Sequence, residues 1–460
     1  MLYFCSCYAR LMRQLTFALL SFARITPQAA LLVWALTPAA QAATPVYLAP
    51  AAQQNSDAPQ KPQSNDAGIM SRRDGSRDAP FLHLADAISA VSSGQGDHVA
   101  LLPGAYGSVI WKNIAPLRTI DVRAETTGQV HFDRLVLDNV HNLTFSGFSV
   151  WPRKPVDEPG TLVTVHASSS HLTFDRFDLR GRADAPQTYM RWRAKDWLRR
   201  WRNNGFRLAG PDMRVQNSAI TGVAFGITSH GTNARLEHNL IRGFSGDALR
   251  AVGNHSYVAH NRVQDCFAVD KNHDDGFQAW APRHGGARTS LVGLRLEHNQ
   301  IWEWTGRRGH PLRCQLQGVG LFDGQYRDIE IRNNLVVVDH HHGISIYGAI
   351  NGVIANNTVV HPSGNPAKLP WISVNPHKNG TPSRNIEVSH NLAMAYKSVP
   401  DALAQNTVAR FPAQLFENPA AGDFRPRPDG PLRVGQEGAN LPAPLRDQPD
   451  LTGLPQQRSP

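Results

Sequence analysis

The chain has 460 residues, of which 41% are hydrophobic and 18% are charged, an ordinary globular composition. Its 37 glycines and 32 prolines are too few for a collagen-like or wholly disordered chain. Four cysteines exclude a disulfide-dense miniature scaffold. The formal net charge of +10 permits an anionic ligand, such as a nucleic acid, an anionic lipid or an acidic polysaccharide.

Residues 1–42 have the features of a secretory signal. They contain three arginines and no acidic residue, a short apolar run at 29–36, and the small-residue sequence Ala-Gln-Ala at 40–42. Without this segment the net charge is +7 and the only cysteines are Cys266 and Cys314. No later apolar run reaches the roughly 18 residues that span a bilayer. We therefore predict a periplasmic or secreted protein, which argues against a nucleic-acid partner.

The remaining chain divides by composition. Residues 43–77 are rich in Ala, Pro, Gln, Ser and Asp, which predicts a flexible linker. Residues 78–425 carry regular apolar alternation and form the main domain. Residues 426–460 are proline-rich and lack periodicity, which predicts an extended or disordered tail. Residues 183–212 interrupt the pattern and are interpreted as an insertion.

A repeated motif dominates the main domain. The pattern apolar-x-x-Asn-x-apolar recurs, with less regular versions upstream at Ser146, Asp175 and Ser218. Spacings from Ser218 onward are 21, 22, 38, 35, 23 and 34 residues, so the unit is about 22 residues with insertions. We expect each asparagine to occupy a tight corner in the left-handed conformation and to bond a neighbouring unit. The asparagines are Asn239, Asn261, Asn299, Asn334, Asn357 and Asn391.

Each unit contains three short strands with apolar alternation. Stacked units of this kind pair their strands in parallel, about 4.8 Å apart. This predicts an all-β chain folded as a right-handed parallel β-helix. A leucine-rich repeat has a similar period, but its leucine skeleton is missing here.

The entry segment carries a family resemblance. Residues 78–107 (DAPFLHLADAISAVSSGQGDHVALLPGAYG) read as an amphipathic helix, a turn and a strand. They resemble the N-terminal cap of the pectin-lyase-like superfamily, in which a helix plugs the open end of the coil. The resemblance covers residues 78–425 and implies the β-helix fold with an N-terminal capping helix. That superfamily includes lyases, hydrolases, epimerases and phage tailspikes.

Loop lengths locate a groove beside the third strand of each unit. From the corner asparagine to that strand takes 10 residues at Asn239 and Asn334, but 16 at Asn261 and 20 at Asn299. Long loops on a rigid scaffold commonly wall a binding site. Cys266 and Cys314 lie in two of these loops, and we predict a disulfide between them. The inward apolar residues of the strand are Ile227, Leu249, Phe277, Val319, Ile344 and Ile372.

Outward side chains of the third strands suit a sugar polymer. The first outward position is uniformly small (Gly226, Ala248, Gly276, Gly318 and Gly343), which lets a chain-like ligand approach the backbone. The next position includes Arg250 and Gln278. The third includes His230, Trp280, Phe322 and Tyr347. We predict that Gln278, Trp280, His230, Gln317, Phe322, His342 and Tyr347 bind substrate.

The densest titratable cluster lies at the mouth of this groove. Asp247, Asp275, Gln317 and His342 share one register on successive coils, and Asp274 adjoins them. Two ionised carboxylates about 4.8 Å apart repel each other. Asp247 and Asp275 therefore need a cation, either Arg250 or Ca²⁺, or one of them has a raised pKa. A Ca²⁺ ion would take Asp247, Asp274 and Asp275 as ligands; no other cofactor is expected.

Three functions fit this cluster. In a lyase, Arg250, with or without Ca²⁺, neutralises the carboxylate of a uronic acid, and His273 or Lys271 removes the acidified proton so that β-elimination breaks the chain. In a hydrolase, Asp275 with Asp247 or Asp274 forms the acid and base pair. In a binding protein, the groove only holds an exopolysaccharide. The expected partner in every case is a polysaccharide, acidic in the first, and the protein is expected to be a monomer.

Short motifs resemble several polysaccharide-active families. SGDALRAVGNHSYVAHN (245–261) resembles the arginine-bearing coil of alginate- and chondroitin-type lyases of polysaccharide lyase family six, which implies Arg250 as the neutralising arginine. The catalytic lysine of that family would fall one coil earlier, near His230, where this sequence has no lysine. The Asp274–Asp275 pair is similar to polygalacturonases, and the string from Asp270 to Asp274 to mannuronan epimerases. We favour a lyase, with a hydrolase as the alternative.

Two further features have competing interpretations. Segment 188–205 has six basic residues, one acid and three tryptophans, and its helical pattern is expected to stop at Gly205. It could be a lid for an anionic polymer, a membrane-surface element or a structural helix with a solvated arginine face. The histidines that precede the corner asparagines (His238, His260, His298 and His390) are interpreted as a structural stack rather than metal ligands.

Overall fold

The computed structural model describes residues 43–50, 73–155, 159–284, 287–307, 309–361, 369–399, 405–432 and 438–440. The predicted signal at 1–42, residues 51–72 of the predicted linker and most of the tail beyond 432 lie outside the described residues. Within the described ranges, no helix is both long and apolar enough to cross a membrane.

The fold is the predicted right-handed parallel β-helix. Each coil contributes one strand to each of three stacks, and neighbouring strands within a stack are parallel. The first stack precedes the asparagine corner, the second follows it, and the third lies one turn further on. The long strands Gly104–Ile114 and Val130–Ser146 bend through more than one stack.

The first stack contains Pro45–Leu48, His98–Leu101, Ile120–Ala124, Ser170–Asp175, Met213–Gln216, Arg235–Glu237, Tyr257–Ala259, Ser290–Val292, Arg295–Glu297, Gln325–Arg332, Ala349–Ala355 and Arg384–Ser389. The second contains Phe148–Val150, Asp178–Arg180, Ala219–Val223, Leu240–Phe244, Arg262–Cys266, Gln300–Trp302, Leu335–Val337, Thr358–Val360, Leu392–Ala393 and Thr407–Val408. The third contains Gly160–Val165, Asn203–Leu208, Ile227–Ser229, Leu249–Ala251, Asp275–Trp280, Gln317–Asp323, His342–Tyr347, Trp371–Asn375 and Ala395–Lys397.

Smaller elements decorate the coil. Two short antiparallel pairs are Arg283–His284 with Ala287–Arg288, and Phe416–Asn418 with Asp423–Pro426. The α-helices are Leu84–Ser92, Ala185–Thr188 and Pro412–Leu415, the 3₁₀ turns are Tyr189–Arg191 and Pro419–Ala421, and one π turn spans Asp196–Arg200.

The third stack has the predicted register. Ile227, Leu249, Phe277, Val319, Ile344 and Ile372 pair one above another, and all are buried. Because strand side chains alternate between two faces, this alignment sends the next residue of each strand to the outer surface. The outer face of the third stack therefore carries the residues predicted to form the groove.

The predicted capping helix is confirmed as Leu84–Ser92. Its apolar face, with Leu84, Ala87, Ile88 and Val91, is buried against the first coil. Burying these side chains covers the open end of the apolar core. The helix thereby protects a sheet edge that would otherwise be available for pairing.

The chain ends are more ordered than predicted. Pro45–Leu48, placed in a flexible linker, is a strand paired in parallel with His98–Leu101. Val46 and Leu48 of this strand are buried. The apolar alternation in the short run PVYL indicates a strand, but the overall composition of residues 43–77 hid this pattern. In the described part of the tail, the backbone N–H of Gly438 donates to the carbonyl of His390.

A ladder of buried asparagines joins the coils between the first and second stacks. The side-chain Oδ1 of Asn299 accepts from the backbone N–H of Asn261 (3.1 Å) and from its Nδ2 (3.0 Å). Nδ2 of Asn299 donates in turn to the carbonyl of Val258 and to Oδ1 of Asn334. The same pattern repeats along the ladder, so each buried amide is satisfied. The members are Asn239, Asn261, Asn299, Asn334, Asn357, Asn391 and Asn406.

The left-handed residue at each corner differs from the prediction. It is the residue before the ladder asparagine, with φ near +55° at His238, His260, His298 and His390. The sharp corner lets the following asparagine point inward and the preceding histidine point outward. The outward rings of His238, His260 and His298 stack at 4.7 and 4.8 Å, which confirms the predicted structural stack for these three.

We expect Asn299→Ala to destabilise the fold. The change leaves the backbone N–H of Asn261 and the carbonyl of Val258 buried without partners, at a cost of about 3 kcal/mol in the free energy of unfolding. Denaturant unfolding followed by circular dichroism measures the loss. Asn379→Ala, in an exposed turn, is the matched control. Equal stability of the two variants would contradict a structural role for the ladder.

Candidate functional site

Three excursions leave the coil at one corner, between the second and third stacks. They are residues 181–202, 267–274 and 303–316, which we call the wall. The predicted disulfide is confirmed: Cys266 and Cys314 are bonded with a Cα–Cα distance of 5.5 Å. It joins the end of the strand Arg262–Cys266, from which the second wall segment departs, to the third wall segment. Each segment ends where a strand of the third stack begins, so the wall borders the predicted groove.

The first wall segment packs on the coil through its aromatic side chains. Trp192 and Trp197 are buried, and the ring of Trp197 stacks on Phe267 at 4.6 Å. Gly222 and Gly243, both with positive φ, leave room for the rings of Trp192 and Tyr189, since a Cβ would lie 2.7 Å from Trp192 at Gly222 and 2.4 Å from Tyr189 at Gly243. These contacts favour the structural interpretation of the aromatic residues.

The first wall segment also differs from the predicted insertion. It ends at residue 202, because Asn203–Leu208 is a regular strand of the third stack, and Gly205 lies in that strand instead of stopping a helix. The segment is three short turns, not one helix. Tyr189 donates from its hydroxyl to Oδ2 of the buried Asp265 at 2.6 Å. Arg202 pairs with Asp270 of the second wall segment at 3.4 Å.

Arg250 and Asp247 form the centre of the site. Nε and Nη2 of Arg250 both lie 2.6 Å from Oδ2 of Asp247, and the guanidinium lies 3.8 Å from the ring centroid of Phe225. Oδ1 of Asp247 accepts from the backbone N–H of Asp275. Burial raises the pKa of Asp247, and the neighbouring guanidinium opposes this. The pair fixes Arg250 on the outer face, with 18% of its side chain exposed.

Asp274 and Asp275 are buried carboxyl groups at the start of the next strand. Burial raises the pKa of Asp274 to about 7, against a hydrogen bond from Asn272. Burial, with Asp247 and Asp274 nearby, raises the pKa of Asp275 well above its ordinary value. Oδ2 of Asp275 accepts from Gln278 at 3.2 Å, while its Oδ1 is buried without a partner among the described residues. The repulsion predicted between Asp247 and Asp275 is therefore relieved in two of the predicted ways: Arg250 pairs with Asp247, and the pKa of Asp275 is raised.

The three aspartates do not suit Ca²⁺. Both oxygens of Asp247 are already engaged, by Arg250 and by a backbone N–H, and Oδ1 of Asp274 is engaged by Asn272. Ca²⁺ requires six to eight oxygen ligands. Among the described residues, the group of ligand atoms within 4.8 Å of one another is Cys266, Asp274 and Cys314, whose two sulfurs are bonded to each other. The predicted Ca²⁺ site is therefore not formed, and we derive no step through it.

The predicted polar residues of the later coils lie on the same edge. Gln317 pairs with Asp275 in register, and its Oε1 is buried without a partner among the described residues. One coil on, Nδ1 of His342 lies 2.7 Å from Oγ of Ser345. Burial, with smaller effects of His341, His340 and Lys397, lowers the pKa of His342 to about 4. The amide of Gln317 and the neutral imidazole of His342 thus continue the row of polar side chains beyond Asp275.

The aromatic side chains form two groups instead of one ladder. Phe322 contacts His342 at 5.3 Å and Tyr347 at 5.4 Å between ring centroids. Trp280 contacts His230 at 6.5 Å. A bulge after Ala279 places Trp280 opposite Asp323, which shifts it out of line with Phe322. All of these rings except that of the exposed His230 are half-buried on the outer face.

The small residues at the first outward position do not open the groove. A Cβ at Gly318 would lie 2.4 Å from Cγ1 of Val336, a core residue of the second stack, and Ala248 is fully buried. These residues sit where the chain turns into the third stack, so their side of the strand faces the core. The prediction that these residues let a ligand approach is wrong. The chain turns into the third stack one residue later than the strand alternation predicts, so these residues are still in the corner and face the core.

The two residues predicted as bases, Lys271 and His273, are exposed on the second wall segment. Neither side chain makes a hydrogen bond or ion pair with a described residue. His230 is exposed on the outer face, two residues after Thr228, which pairs with Arg250. Partial desolvation of the imidazole, with Arg207 and Arg250 nearby, lowers the pKa of His230. A neutral imidazole therefore stands beside the guanidinium.

A buried charged network behind the wall was missed. Arg313 bonds Glu303 at 2.8 Å and Asp339 at 2.7 Å, and Asp339 also pairs with His361. Oε2 of Glu303 accepts backbone N–H groups from Leu316 and Asp339. Burial raises the pKa of Glu303 to about 7. The position of Glu303, Asp339 and His361, each just after a strand of the second stack, is the sequence signal that could have revealed it.

Comparison with known proteins finds only distant similarity, to solved structures. No protein-family model and no characterised protein sequence matches this chain. The Dettilon tailspike protein is 14% identical with a TM-score of 0.42, over 67% of this chain and 57% of its own. Pectate lyase Pel9A is 14% identical with a TM-score of 0.36, over 77% of each chain. A mannuronic acid-specific family 6 lyase from human gut microbiota is 14% identical with a TM-score of 0.34, over 68% of this chain and 80% of its own.

This chain thus spans little more than half of the tailspike's length. These proteins are parallel β-helix proteins, as predicted for the chain. At this level of identity and structural overlap the likeness carries no argument, so the fold and the function are both argued from the residues of this chain.

Removing the disulfide is expected to lower stability and loosen the wall. The bond closes a loop of 48 residues, which corresponds to about 4 kcal/mol of unfolding free energy in the chain-entropy model. Unfolding of the Cys266→Ser/Cys314→Ser variant, compared with the reduced native protein, measures this. The two should agree within about 1 kcal/mol, and native stability in both would contradict the prediction.

Stability is expected to fall as the pH rises through the pKa of Asp274. The folded-state pKa of about 7 exceeds the ordinary value of 3.8, so the protonated folded form contributes stability that is complete below pH 4 and lost by pH 7. The loss is at most about 4 kcal/mol. Asp274→Asn should remove this part of the pH dependence in denaturant unfolding. Asp86→Asn, at an exposed helical position, should not.

Proposed function

We propose that this protein is a lyase that cleaves a uronate-containing polysaccharide by β-elimination, with the polymer lying on the outer face of the third stack beside the wall. The observation that carries the proposal is the position of Arg250. Its guanidinium is held by Asp247 and Phe225 and is still partly exposed on this face. A fixed cation of this kind can neutralise a uronate carboxylate and acidify the adjacent C–H.

An imidazole completes the elimination. His230 is exposed, lies one coil from Arg250, and has a lowered pKa, so it is neutral and able to accept a proton near pH 7. It removes the proton next to the carboxylate, and the glycosidic oxygen leaves with the electron pair. His273 and Lys271 remain alternative bases, because they are exposed on the second wall segment, which leads into the strand next to that of Arg250. Gln278, Trp280, Gln317, Phe322, His342 and Tyr347 bind the sugar units.

A hydrolase is the alternative that one observation favours. A carboxyl group with a pKa of about 7, as at Asp274, suits a general acid. However, Asp247 and Asp275 are 1% and 0% exposed, so neither carboxylate can reach a substrate atom without a rearrangement. The accessible groups are the arginine and the imidazoles, which suit elimination better. In our proposal the buried aspartates position Arg250 and the strand ends.

The cellular location that we propose is consistent with this function. The Cys266–Cys314 bond requires an oxidising compartment to persist, as in the periplasm or outside the cell. An acidic polysaccharide is available in such compartments, and the positive net charge favours its approach. We therefore propose a periplasmic or secreted enzyme.

Incubation with alginate, pectate and glycosaminoglycans tests the reaction type. Elimination creates an unsaturated uronate end, which absorbs in the ultraviolet, whereas hydrolysis creates reducing ends without that absorbance. We expect both signals to rise together on one of the acidic polymers. Reducing ends alone would establish the hydrolase, and retained binding without either signal would establish a binding protein.

Arg250→Ala is expected to lower kcat/KM for that polymer by at least 100-fold, with Arg250→Lys retaining part of the activity, because the charge but not the fork of donors is kept. His230→Ala and His273→Ala, assayed separately, identify the base. Arg295→Ala, which removes an exposed arginine of the first stack, is the control. Full activity of Arg250→Ala would contradict the proposal.

A further inference from the structure

The positive charge of this protein is concentrated in the first wall segment. Residues 181–202 contain seven basic residues and two acidic ones, a net charge of +5 within 22 residues. Residues 43–460 together carry +7, so most of the excess charge lies in this short stretch. Surface charges on globular proteins are normally interspersed with opposite charges. Such a concentration needs a cause other than solubility.

Five of these cations are presented to solvent without counter-charges. Arg191, Arg193, Lys195, Arg199 and Arg200 are all exposed, and none forms an ion pair with a described residue. The acids of the segment are engaged elsewhere: Asp184 pairs with Arg182, and Asp196 accepts from the backbone N–H of Arg193. The field of the five cations is therefore not neutralised locally.

The aromatic residues of the same segment indicate whether its cations face an anionic membrane or a hydrated polyanion. An element that binds a membrane surface presents aromatic or aliphatic side chains to the lipid alongside its cations. Here Trp192 and Trp197 are 4% and 2% exposed and pack on the coil through Phe267. The outer surface is thus dominated by the cations, while Leu198 and Trp201 are only partly exposed. This favours a hydrated polyanion over an anionic bilayer.

The segment is placed to meet a polymer that leaves the groove. It exits the coil at the same corner as the second and third wall segments, and Arg202 ties it to Asp270 of the second. The strand that follows it, Asn203–Leu208, belongs to the third stack and lies two coils from Arg250. Arg207 of that strand shares a register with Thr228 and Arg250 on the outer face.

We infer that the cationic surface formed by Arg191, Arg193, Lys195, Arg199 and Arg200 is an additional binding site for the same acidic polysaccharide, engaged by chains that extend beyond the groove. The inference rests on the proposed function for the identity of the polymer. It adds a site outside the groove that holds long chains by their repeated carboxylates. Short oligosaccharides that fill only the groove do not reach it.

Binding of long and short chains by matched charge variants tests this site. Arg191→Gln/Lys195→Gln/Arg199→Gln removes three cations of the segment, and Lys154→Gln/Arg384→Gln/Arg410→Gln removes three exposed cations elsewhere. Calorimetry at low salt with the acidic polymer identified above, or with alginate and pectate if none is cleaved, gives the affinities. We expect the first variant to bind long chains about tenfold more weakly and oligosaccharides of four sugars as tightly as the native protein. The control should match the native protein with both.

The outcomes separate this inference from the proposed function. Charge-dependent binding of long chains without any cleavage would support the site and overturn the lyase. Cleavage with unchanged long-chain affinity in the first variant would overturn the site and leave the lyase. Equal weakening for four-sugar chains would also overturn it, because the cations would then belong to the groove. Binding to anionic phospholipid vesicles that is lost in the same variant would overturn it in favour of a membrane surface.

Discussion

The asparagine ladder holds one coil above the next, and the functional surface depends on that alignment. Each ladder side chain accepts two hydrogen bonds from the preceding coil and donates to the following one, as at Asn299. A buried amide left without these partners would cost more than the interaction gains, so the register is strongly specified. With the register fixed, residues 20 to 40 positions apart in sequence meet at one rung.

The site illustrates this dependence. Asp247, Asp275 and Gln317 come from three coils, and each occupies the same corner because each coil turns at the same place. The corner combines two conditions that rarely coincide: buried carboxyl groups with raised pKa values and a partly exposed guanidinium. In the proposed function, burial keeps Asp275 away from the polymer, while Asp247 fixes Arg250 on the outer face, where a carboxylate can approach it. Chemistry on the outer face thus depends on charges held inside.

The wall borders this corner. Its three segments each lead into a strand of the third stack; the disulfide links the start of the second segment to the third, and the Arg202–Asp270 pair links the first to the second. The aromatic side chains of the first segment are used for packing, and its cations are left to solvent. One short stretch therefore buttresses the wall and concentrates the charge of the chain beside it.

The sequence alone determined the coil, the capping helix, the disulfide and the inward residues of the third stack. The coil and the inward residues follow from local periodicity, which the repeat makes visible. The disulfide follows from the position of the two cysteines in loops one coil apart, and the capping role of the helix from the family resemblance. It also placed Arg250 beside Asp247. It could not determine that Asp247 has both oxygens engaged, which removes the Ca²⁺ site, or that the small residues such as Gly318 face the core.

Those features depend on where the chain turns at each corner. A shift of one residue there moves a side chain from the core to the surface, or the reverse. The tertiary structure likewise decided that Trp192 and Trp197 of the insertion are buried, since only contact with a distant coil, at Gly222 and Phe267, provides the surface that covers them.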